Sequence, residues 1–132
     1  MNNKESILIV EDSAPNRKIL EHLVKKMGFN PIVCNDGLEA KEKIESNIPN
    51  LVAIISDIMM PNMDGISLLS YVRKNSDQKI PFLMCTAILD RDYVLESKKL
   101  GVDGYIVKPV SYNKIKERLS HVLPNREWPK NS

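Results

Sequence analysis

The chain has 132 residues, 42% of them hydrophobic, and its 19 basic and 17 acidic side chains leave a net charge of +2. That length suits one domain with a real core, and so small a net charge gives no electrostatic case for nucleic acid or an anionic membrane surface. No run is apolar for long enough to span a bilayer, the opening MNNKES reads as no leader, and Cys34 and Cys85 fit neither a metal nor a redox spacing, so the expectation is a cytoplasmic protein with buried, free thiols.

Along the chain, short apolar runs alternate with segments of helical period. Ile7 to Val10 is a strand that ends in Glu11 and Asp12. Ser13, Ala14 and Pro15 open a helix, with the proline tolerated in the first turn. Leu20, Leu23, Val24 and Met27 form its apolar stripe, and Gly28 closes it as a left-handed cap. Pro31 to Cys34 is a modest strand, placed at a sheet edge because proline begins it. A turn at Asn35, Asp36 and Gly37 leads to a polar helix reaching about Asn47, with Ala40 and Ile44 inward.

The central segment is Leu51 to Gly65, LVAIISDIMMPNMDG. Its unbroken apolar start fits a strand buried on both faces of a parallel sheet, since a half-solvated strand would alternate. The strand delivers Ser56 and Asp57, and the turn residues Pro61, Asn62, Asp64 and Gly65 follow. A third helix runs from Ser67 to Asn75, and Pro81 to Thr86 is a fourth strand. Asp90 caps a fourth helix that ends at Leu100 and Gly101. Gly104 to Lys108 is a fifth strand, and Ser111 caps a last helix to about Leu123. Strands alternating with helices in this way predict an α/β domain with a doubly wound parallel sheet over residues 5–123. Residues 124–132 fall outside this scheme; Trp128 could dock on the body or bind a partner, and a frayed tail is the expectation.

Open α/β sheets place ligands at the carboxyl ends of their strands. Here those ends carry Glu11, Asp12, Asp57, Thr86 and Lys108. Two like charges about 4 Å apart cost roughly 4 kcal/mol at an effective dielectric near 20, so three converging carboxylates ask for a cation. An all-oxygen donor set without His or Cys suits a hard ion such as Mg²⁺. A lysine and a hydroxyl opposite that ion suit a phosphoryl group.

Four segments, ILIVEDS at 7–13, SDIMMPNMDG at 56–65, TA at 86–87 and GVDGYIVKPV at 101–110, make the chain resemble a receiver domain of two-component response regulators, similar in size to the stand-alone chemotaxis type. The resemblance implies a flavodoxin-like fold of five parallel strands in the order 2-1-3-4-5 with five helices. It implies Asp57 as phosphoacceptor, and Mg²⁺ held by Asp12 with Glu11 beside it, by Asp57 and by the backbone carbonyl of Met59. Thr86 and Lys108 would contact the phosphoryl oxygens, the Lys108–Pro109 peptide would be cis, and Tyr105 would be the aromatic that changes rotamer. The implied donor is a sensor histidine kinase or a histidine phosphotransfer protein. With no effector segment after Leu123, the signal is expected to leave through an output protein on the face of the fourth helix, fifth strand and fifth helix.

Some positions qualify the resemblance. Lys41 stands where the family usually has an aliphatic residue, and its stem is expected to cover the sheet while the ammonium snorkels. Met59 and Ile88 flank the path of the hydrolytic water in the family; both are apolar here, so a long-lived phosphoryl group is expected. A phosphohydrolase of the haloacid-dehalogenase type would need a second acid two residues beyond its nucleophile, and that position is Met59. The chain is therefore expected to modify itself and not to turn over a separate substrate; a scaffold that needs no phosphorylation is the remaining rival. Mg²⁺ binding is expected to be weak, and to depend far more on Asp12 than on Asp36.

Overall fold

The computed structural model describes residues 4–75, 79–87 and 90–129. Its elements run β1 (Ser6–Val10), α1 (Ala14–Lys26), β2 (Asn30–Cys34), α2 (Gly37–Glu45), β3 (Leu51–Ser56), α3 (Gly65–Asn75), β4 (Phe82–Thr86), α4 (Arg91–Lys99), β5 (Gly104–Val107) and α5 (Tyr112–Val122). The strands form one sheet in the order β2-β1-β3-β4-β5, and every pairing is parallel. This is the doubly wound parallel sheet that the alternating pattern predicts, in the flavodoxin-like strand order that the resemblance implies.

The sheet is covered on both faces, so β1 and β4 are buried from end to end and β3 along its last four residues. Side chains on successive strand residues point to opposite faces. Ile7, Ile9, Ala53, Ile55, Leu83 and Ile106 pack with Leu20 and Val24 of α1 and with Ile115 and Leu119 of α5. Leu8, Val10, Ile54, Phe82 and Met84 pack with Ala40 of α2 and with Leu68, Leu69 and Val72 of α3. Cys34 and Cys85 are buried and free, and burial pushes both thiols up to about 12.

Helix starts follow local chemistry. Ser13, Asp36, Asp90 and Ser111 accept from backbone N–H groups of the first turns of α1, α2, α4 and α5. Helix α3 begins two residues earlier than its sequence pattern suggests, because Asp64 caps it by accepting from Ser67 N at 2.7 Å. Gly28 and Gly101 follow α1 and α4 with φ of 96° and 85°, a conformation that L side chains resist.

Two features go beyond the sequence pattern. The Lys41 ammonium lies 5.2 Å from the Tyr71 ring centroid and 3.9 Å from Glu45, so it reaches outward between α2 and α3. Aromatic rings attract cations, and α2 and α3 lie side by side on that face. The described part of the tail is also seated. The Trp128 and Phe29 rings stand 5.8 Å apart, Arg126 holds the Glu5 carboxylate, and the Tyr112 hydroxyl donates to the Pro129 carbonyl. Burial of a large aromatic surface offsets the cost of ordering the segment.

Candidate functional site

Register brings the polar strand ends together. Val10 stands opposite Ser56 in the β1–β3 pairing, so the next residues, Glu11 and Asp57, leave the sheet side by side. Asp57 N donates to Val10 O at 3.0 Å, and Lys108 N donates to Thr86 O at 3.0 Å. β5 stops at Val107, which places Lys108 just beyond the strand, next to the expected cis peptide with Pro109.

At the centre is the Lys108 ammonium, 2.8 Å from Asp57 Oδ2 and 2.5 Å from Glu11 Oε1. The second oxygen of Glu11 accepts from Ser13 N at 3.1 Å, and Asp57 Oδ1 accepts from Ile58 N at 2.7 Å. Glu11 is 1% exposed and Asp57 9%, whereas Asp12 faces solvent. Carboxylate oxygens of Glu11, Asp12 and Asp57 all lie within 4.8 Å of one another. Thr86 is buried at the end of β4.

The electrostatics follow from one ammonium serving two buried carboxylates. Burial raises the Glu11 carboxyl above its ordinary range, and this outweighs the opposing hydrogen bonds from Lys108 and Ser13. Burial also works against the charged form of Lys108, but its hydrogen bonds to Asp57 and Glu11 prevail and hold it above the usual lysine value. The ammonium is thus fixed in its charged form beside Asp57. The donor set is three carboxylates with no nitrogen or sulfur, which fits Mg²⁺ and similar hard ions.

The loop after Asp57 is shaped by close backbone approach. Gly65 N donates to Ile58 O at 2.8 Å, and a Cβ on Gly65 would lie 2.1 Å from the Asp57 carbonyl oxygen. Only glycine closes this loop. Met59 projects from it and is 50% exposed. Ile88, paired with Met59 in the sequence reading, lies outside the described residues.

Tyr105 sits on the side of β5 that faces α4. Its hydroxyl is 2.5 Å from Ser97 Oγ and 3.2 Å from Val94 O. Ser97 is completely buried and was not among the sequence candidates. A signal was present: Tyr93, Ser97 and Leu100 share one helical face, so a polar residue stands in an apolar stripe. Asp36 and Asn62 were read only as turn residues, yet they bond to each other beside the site.

Comparison with known proteins agrees with this geometry. The family model described as "Response regulator receiver domain" matches residues 7–120. The chain is 36% identical over 125 residues to chemotaxis protein CheY-3 of Vibrio cholerae, covering 93% of this chain and 95% of that protein. It is 38% identical to the probable transcriptional regulator ycf27 of Guillardia theta, where it spans only 47% of the relative's length. Among solved structures, Vibrio cholerae CheY4 superposes with a TM-score of 0.83 at 30% identity, covering 91% of this chain and 99% of that one. The CheX–CheY–BeF₃–Mg²⁺ complex of Borrelia burgdorferi gives 0.84 at 33% identity, covering 92% and 90%.

Proposed function

Since the chain belongs to the response regulator receiver family, we propose that it accepts a phosphoryl group on Asp57 and signals through a changed surface. The observation that carries this reading is the Lys108 ammonium bridging Asp57 and Glu11, with the Asp12 carboxylate beside them at the point where the strand order reverses.

An Asp57 oxygen attacks the phosphorus of a phosphohistidine, on a sensor kinase or phosphotransfer protein, or of a small donor such as acetyl phosphate. The new O–P bond forms as the P–N bond (or the P–O bond of the small donor) breaks, and the electron pair leaves with the donor's atom. Lys108 already lies against Asp57 and meets the negative charge of the arriving oxygens. Thr86, at the end of the next strand, supplies a hydroxyl for a phosphoryl oxygen. Asp12, Glu11, Asp57 and the Met59 carbonyl are the residues to hold Mg²⁺, which when bound offsets charge on the phosphoryl oxygens. The acyl phosphate adds up to about two negative charges at one point. A shift of Thr86 toward them opens room for Tyr105, and leaving the present position costs Tyr105 its bonds to Ser97 and Val94.

The proposed receiver spans residues 5–123, and the family model matches residues 7–120 of it. The exposed apolar side chains Leu95 and Val107 lie on α4 and β5, the face proposed to meet the output protein. A cytoplasmic site of action is proposed from the receiver family; no helix among the described residues is long and apolar enough to cross a membrane. Incubation with acetyl phosphate and Mg²⁺ followed by intact-mass measurement tests the proposal. A persistent single-phosphate adduct is expected; steady turnover of the donor without an adduct would make the protein a phosphohydrolase, and neither would leave a scaffold.

A further inference from the structure

The loop that carries Asp57 and Met59 is held from two directions. On the inner side Gly65 closes it, as described. On the outer side it rests on the amino terminus of α2, 26 residues away in sequence. Asn62 Nδ2 donates to Asp36 Oδ2 at 2.6 Å, while Asp36 Oδ1 accepts from Glu39 N at 2.9 Å. One carboxylate therefore caps the helix and grips the loop. Next to it Gly37 N donates to Met63 O at 3.1 Å. The backbones are so close there that a Cβ on Gly37 would lie 2.3 Å from that oxygen. Asn62 adopts φ 66°, the left-handed conformation that turns its amide into this contact and that asparagine tolerates better than most residues.

We infer that Asp36 and Asn62 are positioning residues for the Mg²⁺ site, acting through the Asp57–Asp64 loop that they pin to α2. Neither touches the acidic cluster. Mg²⁺ demands near-octahedral ligands within a narrow range of distance, so a loop free to shift presents its oxygens poorly. Partners outside the ligand shell that fix ligand orientation are a known determinant of metal affinity. A helix amino terminus is a stiff support for such a loop, and α2 is itself anchored to the core by Ala40. The inference rests on the Mg²⁺ reading above and deepens it.

Titration with Mg²⁺ alone, followed by backbone amide shifts, tests it in the full chain. Asn62→Gly keeps the left-handed backbone and deletes the amide. Asp36→Ser keeps a helix cap but is too short to reach Asn62. At high salt, where long-range charge is screened, each is expected to weaken Mg²⁺ binding by about fivefold, the scale of one hydrogen bond. The double variant should be no weaker than either single one, since both remove the same bond. Midpoints of thermal unfolding without Mg²⁺ check that each variant is folded, and a variant that is unfolded leaves the other to decide. If a folded variant binds Mg²⁺ within about twofold of wild type, the inference is overturned whether or not its unfolding midpoint falls; a fall would show that the bond is merely structural. Additive losses in the double variant also overturn it. Asp12→Ala separates the two levels: a wild type that binds no Mg²⁺, or binds it equally well without Asp12, removes the underlying site reading and the inference with it.

Discussion

At the carboxyl edge of the sheet one ammonium, Lys108, serves Glu11 and Asp57, with Asp12 close by. At the amino edge charges are matched locally. Arg73 donates to Ile80 O at 2.7 Å, to Gly101 O at 2.9 Å and to Asp103 Oδ2 at 2.9 Å. The same Asp103 oxygen accepts from Phe82 N at 2.8 Å, and Arg126 pairs with Glu5. The first edge gathers three carboxylates around one lysine ammonium, an arrangement suited to a cation. The second ties α3, β4, β5 and the tail together. On the proposed function, function and stability fall to opposite ends of the same strands, and charge deletions at the two edges should have opposite effects on stability.

The sharpest contrast is Asp57→Asn. It should abolish labelling by a phosphodonor outright while leaving the unfolding midpoint unchanged or higher, because it removes the acceptor and relieves carboxylate repulsion. Persistent labelling of that variant at another residue, or a clear loss of stability, would break the division between the edges. Arg73→Ala should do the reverse. It leaves the half-buried Asp103 carboxylate and two carbonyls without their main donor, and about 2–3 kcal/mol of stability should disappear in urea unfolding. Phosphodonor labelling of the folded variant should persist.

Smaller effects refine the picture. Met59→Asn/Ile88→Glu replaces two apolar side chains with groups able to orient water. Phosphoryl decay after donor removal should accelerate by about tenfold, equivalent to ~1.4 kcal/mol in barrier; unchanged decay would show that these side chains do not govern water access. Trp128→Ala should cost about 1 kcal/mol, mainly from the lost contact with Phe29, with phosphodonor labelling unchanged. The smallest effect concerns the tail in acid. The hydrogen bond from Arg126 holds the Glu5 carboxyl below its ordinary value of 4.5. A lowered folded value means that the pair contributes above about pH 4.5 and that this contribution fades as pH falls through the lowered value. Emission of Trp128, the one tryptophan in the chain, should shift over that acid window. Arg126→Gln should remove that step, and an identical acid profile in this variant would refute the linkage.

Much of the architecture was legible from local pattern. Continuous apolar runs such as Ile7–Val10 and Leu51–Ile55 mark strands buried on both faces, and the residues just beyond them, Glu11, Asp12, Asp57, Thr86 and Lys108, necessarily share one edge of a parallel sheet. The order and spacing of the four motifs then pointed to the family. Periodicity and strand ends are properties of contiguous residues, so a linear reading finds them.

What only the tertiary structure decided are contacts between single polar or aromatic side chains far apart in the chain. Asp36 and Asn62 are 26 residues apart, Arg73 and Asp103 are 30, and Glu5 and Arg126 are 121. Each residue alone reads as a turn or a solvated charge. The Lys41 ammonium turned to Tyr71, the Tyr105 hydroxyl to α4, and Trp128 to Phe29 for the same kind of reason. Hydrophobic period records which face of an element is buried, but it carries no information about which neighbour a polar group will meet. That choice depends on distances of a few ångströms set when the helices settle on the sheet, and hydrogen bonds are lost beyond that range.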